Sequence, residues 1–299
     1  MTHSQRYETK IGLMLVLPAV LGLTLFNYYP IIQTFIYSFF DLDLTTDWLN
    51  ADFVGLGNYI DVMQTAQFWY TFGFTLGFTV VTVALDLTLG MLFALASFYV
   101  VPGLRGILRS ILIIPWAIPE VIQASMWKWM LDSDAGPIGD LMVRLGIVAE
   151  PPLFLVEQTL AMASVVVAYS WKGASISAFF LMGGLALLPI EAIESAKVDG
   201  ANAFRRFFSI TLPMVMPTVF VALLYRSRSA IRVFDIVYGL TGGGPGTTTD
   251  TMSSFAYKYY FRFAQFGRGS AYAVVTFILV VAVSIYYIQQ IKKSFIVKE

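Results

Sequence analysis

Long apolar runs alternate with short polar stretches along the chain, and this pattern predicts six membrane-spanning helices. Each run supplies at least the roughly 20 residues that a helix needs to cross a bilayer. Helices are the expected spanning elements because each satisfies its own backbone hydrogen bonds inside the lipid. The predicted spans cover residues 11–40, 70–100, 107–131, 158–187, 213–239 and 269–291.

Prolines and polar stretches divide these runs. Pro115 and Pro119 interrupt the third span, because proline removes a backbone donor and bends or ends a helix. Residues 101–106 are a predicted turn, and a short helix is expected around Gly139–Leu145. Residues 41–69 form an acidic loop without lysine or arginine, which carries Asp41, Asp43, Asp47, Asp52 and Asp61.

Composition indicates an integral membrane protein. Of 299 residues, 58% are hydrophobic and 13% are charged, with a mean hydropathy of +0.72. A soluble domain is typically about a quarter charged. The formal net charge of zero indicates no general attraction to nucleic acid. There is no cysteine, and the single histidine, His3, is a poor basis for a metal site, so neither metal nor cofactor is expected in this chain.

The distribution of lysine and arginine predicts the orientation, since cytoplasmic loops carry an excess of both. With the N-terminal residues 1–10 in the cytoplasm, ten lie inside: Arg6, Lys10, Arg105, Arg109, Lys197, Arg205, Arg206, Lys292, Lys293 and Lys298. Five lie outside: Lys128, Arg144, Lys258, Arg262 and Arg268. Both termini and the stretch 191–213 are therefore predicted to be cytoplasmic.

The stretch 191–213 is a charged segment between two apolar runs, and its residues predict two short helices outside the bilayer. Pro189 starts a helix over 190–198, and Gly200 ends it, because glycine adopts the left-handed conformation readily. A second helix is predicted over 202–210. Its Phe204, Phe207 and Phe208 share one face.

A motif is formed by Glu194, Ala196 and Asp199-Gly200-Ala201, followed by Ile210-x-Leu212-Pro213, with nine residues between Gly200 and Ile210. It resembles the EAA loop of permease subunits in binding-protein-dependent ABC importers. That resemblance implies a coupling loop at about 188–213 that docks in a cleft of a cytoplasmic ATPase. The residues it assigns to coupling are Glu194, Ala196, Asp199, Gly200, Ala201 and Phe204.

Three further segments resemble permeases of carbohydrate importers: Tyr29-Pro30, Phe53–Tyr59 and Leu240–Gly246. The resemblance is to the first permease of maltose, trehalose and glycerol-phosphate systems. It implies the all-α, six-helix type I ABC importer permease (MetI-like) fold, with residues 11–299 as one permease domain. It also implies a multi-pass protein of the prokaryotic plasma (inner) membrane.

The same resemblance implies a set of partners. These are a second homologous permease, two ATPase subunits, an extracytoplasmic solute-binding protein, a carbohydrate and the lipid bilayer. The chain has no Walker A sequence, so it is not expected to be an enzyme. ATP and Mg²⁺ would be bound by the partner ATPase subunits.

Candidate solute contacts lie inside the predicted spans, where ionisable groups are costly and face a cavity or a partner. Trp116, Glu120, Gln123 and Trp127 recur at helical spacing and predict one polar–aromatic face. The resemblance places further residues at or near a substrate cavity, together with Trp116 and Glu120. They are Tyr169, Lys172, Gly173, Ile176, Arg226 and Ala230.

Alternatives remain at this stage. The charges can form a purely structural ion pair, for example Glu120 with Arg226, and a structural role is favoured for Asp86. The solute can instead be glycerol phosphate or a compatible solute, since Arg226 and Lys172 suit an anion. An ion-coupled secondary transporter is the alternative from another class, although no paired repeats are found.

Overall fold

The structure is a computed structural model that describes residues 3–45 and 50–296. Asp47 of the predicted acidic loop and Lys298 lie outside the described residues. Within those ranges the chain is helical, with two isolated bridges, Phe40–Phe53 and Asp43–Gln265, which confirms the all-α class.

The helices are numbered in chain order. They are α1 (His3–Leu23), α2 (Tyr29–Tyr37), α3 (Gly57–Met63), α4 (Ala66–Tyr99), α5 (Pro102–Ala117), α6 (Glu120–Met130), α7 (Pro137–Arg144), α8 (Gln158–Ala186), α9 (Ile190–Val198), α10 (Ala203–Arg206), α11 (Leu212–Ile231), α12 (Asp235–Leu240), α13 (Met252–Phe261) and α14 (Phe266–Ile296). π-Helical turns, Thr24–Tyr28 and Phe207–Thr211, join α1 to α2 and α10 to α11.

Five helical segments of the described chain are long and apolar enough to cross a bilayer. They are Ile11–Tyr37, Ala66–Tyr99, Gln158–Ala186, Ala203–Ile231 and Phe266–Ser294. Helices α5 and α6 make a sixth if they count as one span, and they meet at 94°. With that pair counted as one broken span, the six-span prediction is confirmed. The break falls at Ile118 and Pro119, whereas Pro115, also predicted to interrupt the span, lies inside α5.

Three predicted boundaries are wrong. Residues 101–106 are not a turn, because α5 already begins at Pro102, a position where proline favours a helix start. The fifth span ends at Ile231 rather than at 239, and α12 follows as a separate helix. The predicted helix over 202–210 is not separate from the fifth span: a π turn carries the helix past Pro213 into α11.

The chain forms two compact units. The first comprises Met1–Thr65 and Ala256–Val275. Its loops are joined by the buried Asn58, whose side-chain amide donates to the carbonyl oxygens of Ser38 (3.0 Å) and Phe40 (2.9 Å).

The second unit comprises Ala66–Phe255 and Thr276–Glu299, and its centre is the pair α4 and α8. These helices approach closely through small residues, as membrane helices do. A Cβ added at Gly90 on α4 would lie 2.6 Å from the Cβ of Ser177 on α8. Helices α5, α6, α11 and α12 lie beside α8, and residues of these five helices surround a small interior space.

A hydrophobic cluster fixes the walls of that space. Phe78 of α4, Val165 and Tyr169 of α8, and Ile236 and Val237 of α12 pack together and are all buried. The aromatic rings of Phe78 and Tyr169 lie 5.2 Å apart. This packing holds α12 against α8. The broken helix, α5–α6, forms another wall of the space.

Candidate functional site

The break between α5 and α6 exposes backbone carbonyl groups inside an apolar environment. Ile118 and Pro119 are extended, so the helical hydrogen-bond ladder stops there. At the break a side chain of α8 supplies a donor: Lys172 Nζ donates to the Ile118 oxygen at 2.9 Å. Ser175 Oγ, also on α8, donates to the Leu112 oxygen within α5 at 2.6 Å. Polar groups of α8 therefore stabilise the bend.

A cavity of about 100 Å³ lies beside this break. Eight of the nine residues predicted for a solute cavity line it: Trp116, Glu120, Gln123, Tyr169, Lys172, Gly173, Ile176 and Arg226. Tyr225, Ser229 and Ile236 line it as well and were missed from the sequence. Ser229 is three residues after Arg226, a spacing that could have indicated it.

The ninth predicted residue, Ala230, does not line the cavity. It is fully buried in the hydrophobic cluster, and its neighbour Ser229 faces the cavity instead. The predicted continuous helix face was also wrong, since Trp116 lies on α5 and Glu120 on α6, beyond the 94° bend. Trp127, the last residue of that face, packs against Trp171 with ring centroids 6.1 Å apart.

Arg226 is held from behind by Asp86, a fully buried residue of α4. Arg226 Nε donates to Asp86 Oδ2 at 2.7 Å, and a second guanidinium nitrogen forms an ion pair with the same oxygen. The guanidinium carbon lies 4.7 Å from the centre of the Tyr169 ring, a cation–π distance. The alternative that paired Arg226 with Glu120 was therefore wrong: the ion-pair partner of Arg226 is Asp86.

The second charge pair joins Lys172 to Glu120, with Nζ 3.7 Å from the carboxylate oxygen. Glu120 is about half exposed at the cavity, while Lys172 is largely enclosed. Gln123, also buried, donates to the Ala168 carbonyl at 2.5 Å. The Tyr169 hydroxyl donates to Ser229 Oγ at 3.2 Å. The cavity thus combines aromatic faces with fixed hydrogen-bonding groups.

The coupling candidates lie on a second feature, the α9–α10 segment. Helix α9 coincides with the predicted 190–198 helix, and Gly200 ends it with φ +79°. The Ala201 N–H donates to the Ala196 carbonyl at 2.9 Å, which completes a Schellman-type end. Asn202 then caps α10 by accepting from the Arg205 N–H at 2.8 Å.

This segment is anchored on one side and exposed on the other. Ala196 and Ile193 are buried, and Ile193 packs in a cluster with Leu185, Leu188 and Val215. Glu194, Asp199, Gly200 and Phe204 are exposed, and Ala201 is half-buried. Val198 is 88% exposed and Phe204 73%, so large apolar side chains project from a charged surface.

Across the residues that the structure describes, no group of three or more histidine, aspartate or glutamate side chains is arranged to hold a metal ion. The charged groups of the cavity are instead paired with one another, as described above.

A family model described as binding-protein-dependent transport system inner membrane component matches residues 86–293. The chain belongs to this family. It is a multi-pass permease subunit of an ABC importer, a transport subunit whose ATPase activity resides in separate subunits.

Similarity to individual relatives extends over nearly the whole permease. This chain is 38% identical to the trehalose/maltose transport system permease MalF of Thermococcus litoralis, over 97% of its own length and 96% of that protein. It is 35% identical to the sulfoquinovosyl glycerol transport system permease SmoG of Agrobacterium fabrum, over 94% and 90%. A chain of a bacterial alginate ABC transporter has the same fold, with a TM-score of 0.83, 21% identity and coverage of 97% and 98%.

Proposed function

We propose that this permease forms one wall of the translocation path for a sugar or related polyol. The observation that carries the proposal is the cavity at the broken helix, where eight residues predicted from the sequence meet. A polyhydroxylated solute has apolar C–H faces and many hydroxyl groups. Aromatic rings suit the faces, and charged hydrogen-bonding groups suit the hydroxyls.

The names of the relatives support a sugar, because they refer to trehalose, maltose and a sugar glycoside. Residues 11–299 act as one permease domain in this proposal; the family match covers 86–293, and the similarity to the Thermococcus litoralis permease extends over 97% of the chain. A second homologous permease completes the path. A solute-binding protein outside the membrane delivers the solute, in keeping with the description of the family.

The importer in this proposal contains two ATPase subunits, which bind ATP and Mg²⁺, and the segment 188–213 is the proposed contact of this permease with one of them. The exposed side chains of Val198 and Phe204 support this role, since they would be covered by a partner. Both termini and this segment are cytoplasmic in the proposal, and residues 41–61 and 241–268 lie outside. The lysine and arginine distribution supports that orientation.

The test is uptake by the complete importer in proteoliposomes with its binding protein and the candidate solutes trehalose, maltose and glycerol 3-phosphate. Glu120→Gln keeps the size of the side chain and removes its charge. We expect uptake to fall roughly tenfold or more, as the loss of one charged hydrogen bond of about 1.5–3 kcal/mol implies.

The matched control is Glu157→Gln, an exposed glutamate at the start of α8 outside the cavity. Its uptake should match that of the unchanged importer, and the affinity of the binding protein should be the same in both. Normal uptake with Glu120→Gln would refute a solute-contact role for Glu120. Uptake of glycerol 3-phosphate but of neither sugar would refute the sugar assignment.

A further inference from the structure

Asp86 is a charged residue that lies outside the cavity yet controls the charge at its wall. It is fully buried on α4, whereas Arg226, its ion-pair partner, faces the cavity. The carboxylate therefore approaches Arg226 from the side away from the solute space. A guanidinium has five N–H donors, more than one carboxylate oxygen can accept. Asp86 can thus cancel the charge of Arg226 while leaving donors for hydroxyl groups.

Gly173 on α8 makes this arrangement possible. A Cβ added at Gly173 would collide with the Arg226 guanidinium and with the Asp86 carboxylate. The pair consequently lies against the bare backbone of α8, at the point where α4, α8 and α11 meet. Packing from three helices fixes the position of both charges, so the pairing cannot relax freely when a solute arrives.

The remaining charges leave no excess of positive charge at the cavity. Lys172 pairs with Glu120, its Nζ 3.7 Å from the carboxylate oxygen. Arg228 does not line the cavity; its guanidinium carbon lies 5.8 Å from the centre of the Tyr225 ring. Each cation that lines the cavity thus has a carboxylate of its own.

We propose that Asp86 sets the charge selectivity of the path: by neutralising Arg226 from behind, it excludes anionic solutes and admits uncharged ones. The proposal rests on the proposed function, in which this cavity is part of the solute path. It bears on the anion alternative, because Arg226 and Lys172 would attract an anion only if they were not already paired.

The test measures the charge preference of the cavity directly, without relying on the binding protein. The chain has no cysteine, so Ser229→Cys places a single reactive thiol at the cavity wall. Two thiosulfonate reagents of matched size, one anionic and one uncharged, modify this thiol in the importer assembled with cysteine-free partner subunits. The measured quantity is the ratio of the anionic to the uncharged reaction rate.

In the Ser229→Cys background, Asp86→Asn should raise this ratio roughly three- to tenfold, as expected for one partly screened positive charge left uncompensated. Arg226→Gln should lower it by a similar factor, because the Asp86 carboxylate is then unpaired. The double variant Asp86→Asn with Arg226→Gln should return it to the starting value. The control is Asp61→Asn, which removes another aspartate–arginine pair, since Asp61 lies 2.8 Å from Arg268. This substitution should leave the reaction-rate ratio unchanged.

A ratio that changes by less than about twofold in an assembled Asp86→Asn importer would overturn the proposal, since that is below 0.5 kcal/mol. If Asp86→Asn does not assemble, the Arg226→Gln and double variants decide: equal ratios in the two would overturn the proposal. Failure of the sugar assignment appears separately, as uptake of glycerol 3-phosphate but of neither sugar, because reagent access does not depend on the solute.

Discussion

Lys172 Nζ donates to the carbonyl oxygen of Ile118, 2.9 Å away, at the point where the helix α5 ends and the chain bends by 94° into α6. This contact satisfies a carbonyl group that the break would leave without a helical partner. The same ammonium group lies 3.7 Å from Glu120. Lys172 thus stabilises the bend and holds a cavity carboxylate near one position.

Lys172→Met should destabilise the assembled importer by about 1–3 kcal/mol, the cost of an unsatisfied buried polar group. Methionine keeps the length of the side chain and removes the donor and the charge. The measurement is the midpoint of thermal unfolding of the purified importer. Lys128→Met is the control, because Lys128 is exposed on α6. Equal shifts in the two variants would contradict the role given to Lys172.

Gly173→Ala should destabilise the importer by about 1–3 kcal/mol, as expected when a methyl group is forced into a packed region. The added Cβ would displace the Arg226–Asp86 pair. Gly183→Ala on the same helix is the control, since its Cβ would have no neighbour within 4 Å. Thermal unfolding and uptake should both be impaired by the first change only; a tolerated Gly173→Ala would show that the pair can move aside.

Gly200→Pro should uncouple ATP hydrolysis from solute delivery while the subunit still assembles. Gly200 has φ +79°, which proline cannot adopt, so the angle between α9 and α10 would change. The measurement is ATPase stimulation by the solute-loaded binding protein, with subunit levels determined in parallel. We expect stimulation to be lost.

Gly146→Pro is the control for local strain. Gly146 ends α7 with φ +69°. As at Gly200, two backbone hydrogen bonds close the helix end: the Gly146 N–H donates to the Val143 carbonyl (2.9 Å), and the Ile147 N–H donates to the Met142 carbonyl (3.0 Å). The two substitutions impose the same local cost at different places. Loss of stimulation in both would indicate general destabilisation and would contradict a specific coupling role for Gly200.

Single cysteines should report the orientation of the permease, since its own sequence contains none. Thr247→Cys should react with a membrane-impermeant maleimide added outside intact cells. Val101→Cys, at an exposed position in the predicted cytoplasmic turn, should react only after permeabilisation. The reverse pattern would overturn the orientation inferred from the lysine and arginine distribution.

The sequence by itself determined the local features of this permease. Side-chain chemistry over a few neighbouring residues explains the apolar runs, the end of α9 at Gly200 and the break at Pro119. It did not show that α5 continues through Pro115. The π turn before α11 was not predictable in this way: the sequence suggested a boundary at Pro213, and the helix continues through it.

The tertiary structure decided which residues meet. Successive residues of a helix point about 100° apart, so spacing alone could not tell that Ser229 lines the cavity while Ala230 enters the core. Nor could it pair Arg226 with Asp86, 140 positions earlier, rather than with Glu120. Such contacts depend on how each helix is rotated against its neighbours. That rotation is set by close packing at small residues such as Gly90 and Gly173, a property of the assembled helices and not of any one segment.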